Sequence, residues 1–260
     1  MPEIEFFQLT DVGCVRTNNE DAVGSWPHED GLLFAVADGL GGYNAGEFAS
    51  TLALEVLARE MERAPGTWAV GKRLRRAIQE ANLEIYNKAI TVPELGGMGT
   101  TITATTLIGA SIVTAHVGDC RLYRLRDGGI DVLTRDHTMA QDLLQFHLIS
   151  PEQATDHPGR HQLTRSVGGE PFLNADILTG KTLPGDTYLL CSDGLWSELT
   201  DGEIQDMLGE NDISSACEKL VRIALGGGAP DNITAIVFRI EKIGTRATSK
   251  FSLKEFLYGR

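Results

Sequence analysis

The sequence predicts an α+β domain built on antiparallel strands, and three observations lead to it. First, the β-rich runs "TTITATTLI", "SIVTAHV", "CRLYRLR", "TYLLCS" and "NITAIVFRI" stand in blocks and do not alternate singly with helices. Second, only Gly109-Ala110 separates the first two runs, and only Gly118-Asp119 the second and third. Connections that short join antiparallel neighbours, because a parallel crossover needs roughly a dozen residues. Third, the helical segments are amphipathic and grouped, which does not suit a doubly wound nucleotide-binding fold.

Each helix follows from its apolar spacing. Ala49, Leu52, Ala53, Val56 and Leu57 recur every three or four residues, as do Leu74, Ala77, Ile78, Ala81 and Ile85. Cys217, Leu220, Val221, Ala224 and Leu225 mark a third helix, which Gly226 to Gly228 bring to an end. Residues 138 to 162, "TMAQDLLQFHLISPEQATDHPGRHQ", are polar and histidine-rich, an excursion from the strands. The last twenty residues carry five Lys or Arg against two Glu and reverse the sign of the chain. The expected division is a domain over 1–240 and a basic tail over 241–260. Within the tail, Ser252 to Glu255 forms a capping-box pattern, readable as a short docking helix or as an end packed on its own domain.

A chain of 260 residues, 42% hydrophobic and 23% charged, readily buries a core. Its formal charge of -13 argues against a nucleic-acid surface and suits a site that collects cations. The start, MPEIEFFQLTD, lacks the basic and apolar regions of a signal peptide. No apolar run approaches the roughly 20 residues that span a bilayer. Cys14, Cys120, Cys191 and Cys217 lie far apart without a CxxC pair and read as free thiols of a reducing compartment. The expected location is cytoplasmic.

The functional signal is a recurring carboxylate. "LFAVADGLGG" ends an apolar strand at Asp38-Gly39, and "YLLCSDGLW" does the same at Asp193-Gly194. "TAHVGDCR" sets Asp119 just after a strand, and "GGGAPDNIT" sets Asp231 just before one. "RTNNEDA" adds Arg16, Glu20 and Asp21. A single Asp-Gly is usually a turn. A carboxylate closing a buried strand is costly without a positive partner, and several gathered together require cations. All-oxygen donors with room for water suit Mg²⁺ or Mn²⁺.

"RTNNEDA", "VADGLGG" with "AGEFAS", "GTT", "VGDCRLYRLRDG", "LTRDHT", "HPGRHQLTRSVGG", "LLCSDGLW" and "PDNIT" occur in the order found in the metal-dependent serine/threonine protein phosphatases. From about residue 8 to about 240, the chain resembles a bacterial-type member of this protein phosphatase 2C, or PPM, family. The resemblance implies a four-layer α-β-β-α sandwich of two antiparallel sheets flanked by helices. It implies a site for two or three divalent cations, Mn²⁺ or Mg²⁺. Asp38 would bridge two of them, the Gly39 carbonyl would coordinate one, and Asp193 and Asp231 would complete the first ion's protein ligands. Asp119, with Asp193, would bind a weaker third ion, near which His161 of the excursion lies. Glu20 and Asp21 would hold metal-bound waters.

The implied reaction is hydrolysis of phosphoserine and phosphothreonine on proteins, opposing a serine/threonine kinase. A hydroxide bridging cations about 3.5–4 Å apart would attack phosphorus, and Arg16 would bind the phosphate. The excursion resembles the flap that bacterial members carry beside the site. Many eukaryotic members have a histidine where this chain has Leu40; Tyr43 is the nearest protonatable residue, and a metal-bound water would be the proton donor.

Other readings stand beside these. Arg16 also fits a structural ion pair with a neighbouring carboxylate, and Asp119 the turn of a hairpin. His116, within an apolar strand, reads as a core histidine, and His137 and His157 as structural hydrogen-bonders. A non-catalytic binding module would lack one of the metal aspartates, and none is missing. A phosphoester hydrolase acting on polyanions conflicts with the net charge. Phosphorylated proteins are therefore the expected partners, with neither nucleic acid nor membrane, and the monomer is the default.

Overall fold

The computed structural model describes residues 2–28, 31–41 and 45–243. Tyr43 and nearly all of the basic tail lie outside the described residues. The strands are β1 (Glu3–Asp11), β2 (Asp21–His28), β3 (Gly31–Leu40), β4 (Gly99–Thr100), β5 (Ile102–Ile108), β6 (Ser111–Val117), β7 (Arg121–Arg126), β8 (Gly129–Val132), β9 (Asp176–Lys181), β10 (Thr187–Cys191) and β11 (Ile233–Lys242). The helices are α1 (Ala45–Arg63), α2 (Val70–Thr91), α3 (Met139–Gln145), α4 (Pro151–Thr155), α5 (Asp193–Trp196), α6 (Asp201–Leu208) and α7 (Ile213–Gly227).

One sheet runs β1-β11-β10-β7-β8; the other runs β2-β3-β5-β6-β9, with the short β4 beside β3. Every pairing in both sheets is antiparallel. The strands look continuously apolar because both of their faces are covered. On β3, Leu33, Ala35 and Ala37 meet α1 and α2, whereas Leu32, Phe34 and Val36 face the other sheet. On β11, Ala235 and Val237 pack under α7, and Ile236, Phe238 and Ile240 point between the sheets. The result is the expected α-β-β-α order.

Aromatic rings fill the centre of the inter-sheet layer. Phe34 stacks on Phe238 at 4.7 Å, Phe238 on Tyr188 at 4.9 Å, and Phe6 meets Phe34 edge-on at 5.1 Å. Asp212 caps the start of α7, and Gly228, at φ +112°, caps its end in a left-handed conformation that a side chain would disfavour.

Two expectations need amending. The runs on either side of Gly118-Asp119 are not sheet neighbours: β6 pairs with β5 and β9, and β7 with β10 and β8. The chain crosses here from one sheet to the facing one. Gly118 permits this at φ +107°, where a Cβ would lie 2.5 Å from the Thr101 side chain. Strands β1 and β2, which edge the two sheets, carried too little continuous apolar character to be read from the sequence. The excursion holds α3 and α4 and closes on itself at a Thr138–Leu163 bridge. Among the described residues no helix is long and apolar enough to cross a membrane. Cys120, Cys191 and Cys217 are buried free thiols, and Cys14 is an exposed one.

Candidate metal centre and active site

Asp38 lies two residues before the end of β3, directly opposite Asp21 of β2. Its backbone is clamped by the "GTT" segment: Asp38 N–H donates to Thr101 Oγ1 at 2.9 Å, and Asp38 O accepts from Thr101 N–H and Thr100 O–H at 2.8 Å each. Gly39 must be glycine because a Cβ would sit 2.2 Å from the Gly46 carbonyl oxygen. The Glu20 carbonyl accepts from Gly39 N–H at 3.0 Å and from Ser50 O–H at 2.6 Å. The start of α1, the end of β3 and the "NNED" loop are thereby held in one backbone stack.

The facing sheet contributes Asp193, where β10 passes into α5, and Asp231, just before β11. Gly194 lets these loops touch, since a Cβ there would lie 2.1 Å from Asn232 O. Asn232 ties the N-terminal loop to Asp231: its Oδ1 accepts from Glu20 N–H at 2.8 Å, and its Nδ2 donates to Val12 O and Asn18 O at 2.9 Å. Ser192 donates its hydroxyl proton to Asp21 Oδ2 at 2.6 Å.

Asp119 stands at the crossing between the sheets, so the hairpin reading does not hold. Asp119, His161 and Asp193 each offer a ligand atom, and these atoms lie within 4.8 Å of one another. His161 Nδ1 is 3.3 Å from Asp193 Oδ2. His116, His137 and His157 are structural, as expected. His116 is buried between Thr103 Oγ1 and Arg135 O, and that burial lowers its pKa to about 3. His137 accepts from Gly118 N–H and faces Asp176, and His157 accepts from Gly159 N–H.

A cleft of about 410 Å³ gathers Asp38, Gly39, Asp119, Asp193, Asp231, Glu20 and Arg16 from both sheets, and Leu40 opens onto it too. Asp21 lies behind them. Burial, and then the charges of Asp21, Asp193, Asp119 and Asp231, push the Asp38 carboxyl well above its ordinary range. Burial followed by Asp193 does the same to Asp119. Asp21 is raised to about 7, mainly by burial, and Glu20 is raised by burial. Asp193 Oδ1 is buried and meets no hydrogen-bond donor among the described residues. An orphaned carboxylate oxygen inside a ring of crowded acids fits a cation, and the oxygen donors, carboxylates and a backbone carbonyl, are those of a hard divalent ion.

Arg16 Nη2 binds Asp231 Oδ2 at 2.8 Å, so the ion pair weighed as its second reading is present, at the mouth of the same cleft. Three contributors lie within the quoted blocks but were not singled out as site residues. Asn232 looks like an ordinary turn residue, Arg160 is one basic residue in a polar excursion, and Trp196 reads as core. Arg160 lines the cleft, while Trp196 donates to Asp119 O at 2.9 Å.

Two antiparallel sheets clasped between helices, with an acidic cleft suited to Mg²⁺ or Mn²⁺ at one end, define a metal-dependent class of α+β protein. Residues 15–229 match the family model described as protein phosphatase 2C. The serine/threonine protein phosphatase PstP of Mycobacterium tuberculosis is 38% identical over 234 residues, 90% of this chain and 44% of that protein. The chain thus spans less than half of that relative's length. The serine/threonine phosphatase Stp of Listeria welshimeri is 34% identical over 238 residues, covering 88% of this chain and 92% of Stp. The crystal structure of the PstP catalytic domain in complex with two manganese ions superposes with a TM-score of 0.81 at 35% identity, covering 91% of this chain and 97% of that one. The chain belongs to the protein phosphatase 2C family.

Proposed function

We propose that the chain is a serine/threonine protein phosphatase that hydrolyses phosphoserine and phosphothreonine, opposing a serine/threonine kinase. One observation carries the reading: four aspartates and Glu20 converge from two sheets on a cleft that also presents Arg16, with Asp21 paired behind Asp38. Two or three Mn²⁺ or Mg²⁺ ions, when bound, supply the charge that offsets these acids and make water nucleophilic near neutral pH.

The chain's own residues do the rest. Asp38, held by Thr100 and Thr101, would hold the ions from the centre of the cleft, with the Gly39 carbonyl beside it. Asp193 and Asp231 would complete the set from the facing sheet, and Asp119 with Asp193 would serve the weaker ion. Glu20 and Asp21 orient water from behind. Arg16 turns its planar fork from Asp231 to two phosphoryl oxygens of the substrate, a geometry that an ammonium cannot match. Leu40 offers no proton, so the leaving serine or threonine oxygen takes its proton from water in the cleft. The excursion borders the cleft through Arg160 and His161, next to Leu163, and favours some phosphoproteins over others. The protein acts as a cytoplasmic monomer on phosphoproteins; its charge of -13 disfavours nucleic acid.

The test is phosphate release from a phosphothreonine peptide with Mn²⁺, with Mg²⁺ and with chelator, for the wild type and for Asp38→Ala. Release should need the metal and fall roughly 100-fold or more in the variant, with its circular dichroism unchanged. Metal-independent release, or wild-type rates in a folded Asp38→Ala, would sink the reading.

A further inference from the structure

Trp196 touches, or is covalently tied to, every member of the Asp119–His161–Asp193 group. Its indole Nε1–H donates to the Asp119 carbonyl at 2.9 Å. Its ring stacks on the His161 imidazole, with centroids 5.9 Å apart and planes 16° from parallel. It ends α5, which Asp193 begins, so one short turn of backbone carries both residues.

The ring is itself anchored. The Arg121 guanidinium lies 3.5 Å from the Trp196 ring, and Arg121 is gripped by Asp136 through N–H···O bonds of 2.7–3.2 Å. A line of contact thus runs from Asp136 through Arg121 and Trp196 to His161 in the excursion. Arg160 Nε–H points at His161 Nε2 at 2.8 Å. Arginine only donates, so Nε2 accepts, and the ring proton lies on Nδ1, facing Asp193 Oδ2 at 3.3 Å. A rotating imidazole would lose both contacts, and the indole face keeps it from rotating.

We infer that Trp196 is a positioning residue: it sets Asp119 and Asp193 for the weaker cation and latches the 138–162 excursion over the cleft through His161. The inference rests on the metal-centre reading above. It separates two jobs of one side chain, the N–H for Asp119 and the ring face for the excursion.

Mn²⁺ titration of the full chain, followed by the electron paramagnetic resonance of the free ion, and tryptic cleavage after Arg160 read these jobs independently. Trp196→Phe keeps a ring and loses the N–H. It should weaken the last Mn²⁺ step about three- to tenfold, leave the stronger steps alone and cleave at the wild-type rate. Trp196→Leu loses both, and should also raise cleavage after Arg160 about three- to tenfold. His161→Ala should raise cleavage equally, and the double variant no further. An unchanged last step in Trp196→Phe, or all steps weakening together with the melting temperature, would overturn the inference, as would additive cleavage in the double variant. Should Trp196→Leu fail to fold, Trp196→Phe and His161→Ala decide. A wild type that binds no Mn²⁺ defeats the metal-centre reading itself; an intact wild-type titration with unaffected variants defeats only the role of Trp196.

Discussion

Asn232 commits its whole side-chain amide to backbone groups of the N-terminal loop, at Val12, Asn18 and Glu20. Asn232→Ala leaves two carbonyls and one N–H unmatched in a nearly sealed position, so urea denaturation should register a loss of about 2–3 kcal/mol. A loss below about 0.5 kcal/mol would mean that water replaces the amide at no cost. The contrast with the aspartates explains what the sequence discloses at this scale. A carboxylate ending an apolar strand is anomalous on its face, which made Asp38 and Asp193 conspicuous. An asparagine in a turn is ordinary, and its partners lie more than 200 positions away. Arg16 shows the reverse problem: both of its readings were foreseeable, and the structure shows the ion pair, at 2.8 Å from Asp231.

Among the elements, periodicity disclosed helices α1, α2 and α7 and the inner strands, but the short connection at Gly118-Asp119 misleadingly reads as joining neighbours in one sheet. When both faces of a strand are buried, no polar face indicates which layer it belongs to. A two-residue connection then serves a hairpin and a sheet-to-sheet crossing equally well, and here it serves one of each. The crossing at Gly118 is the more demanding. Gly118→Ala introduces a Cβ 2.5 Å from the Thr101 side chain at φ +107°, and Thr101 is the residue that holds Asp38. The variant should lose about 1–3 kcal/mol of stability and bind Mn²⁺ more weakly than its fold alone predicts. The matched comparison is Gly109→Ala in the hairpin turn, also at positive φ but with nothing within 4 Å of the added Cβ. It should cost less and leave Mn²⁺ binding alone. Equal losses at 109 and 118 would count against the crossing as the source of strain.

For the molecule as a whole, the crowded acids couple stability to pH and to metal. Asp21, raised to about 7, and Asp38 and Asp119, raised well above their ordinary range by burial, bind protons more tightly when folded than when unfolded. Their contribution is fully present below their ordinary range near 4 and is lost as pH rises through the folded values. His116 and His137, held neutral by burial, act oppositely around 6.5 and are silent above about 7.5. Metal-free protein should therefore melt at a lower temperature at about pH 8.5 than at about pH 7.5, and saturating Mn²⁺ should narrow or reverse the difference by binding the ionised form. A melting temperature that climbs with pH in chelator would contradict this. The stacked rings of Phe34, Phe238 and Tyr188 add a last consequence. Asp38 hangs from one sheet, Asp193 and Asp231 from the other, and the thickness of the aromatic layer sets how far apart the two sheets stand. The sandwich is a caliper, its jaws the acidic strand ends and its gauge block three rings buried away from solvent, so the spacing offered to a pair of ions is decided in the hydrocarbon interior.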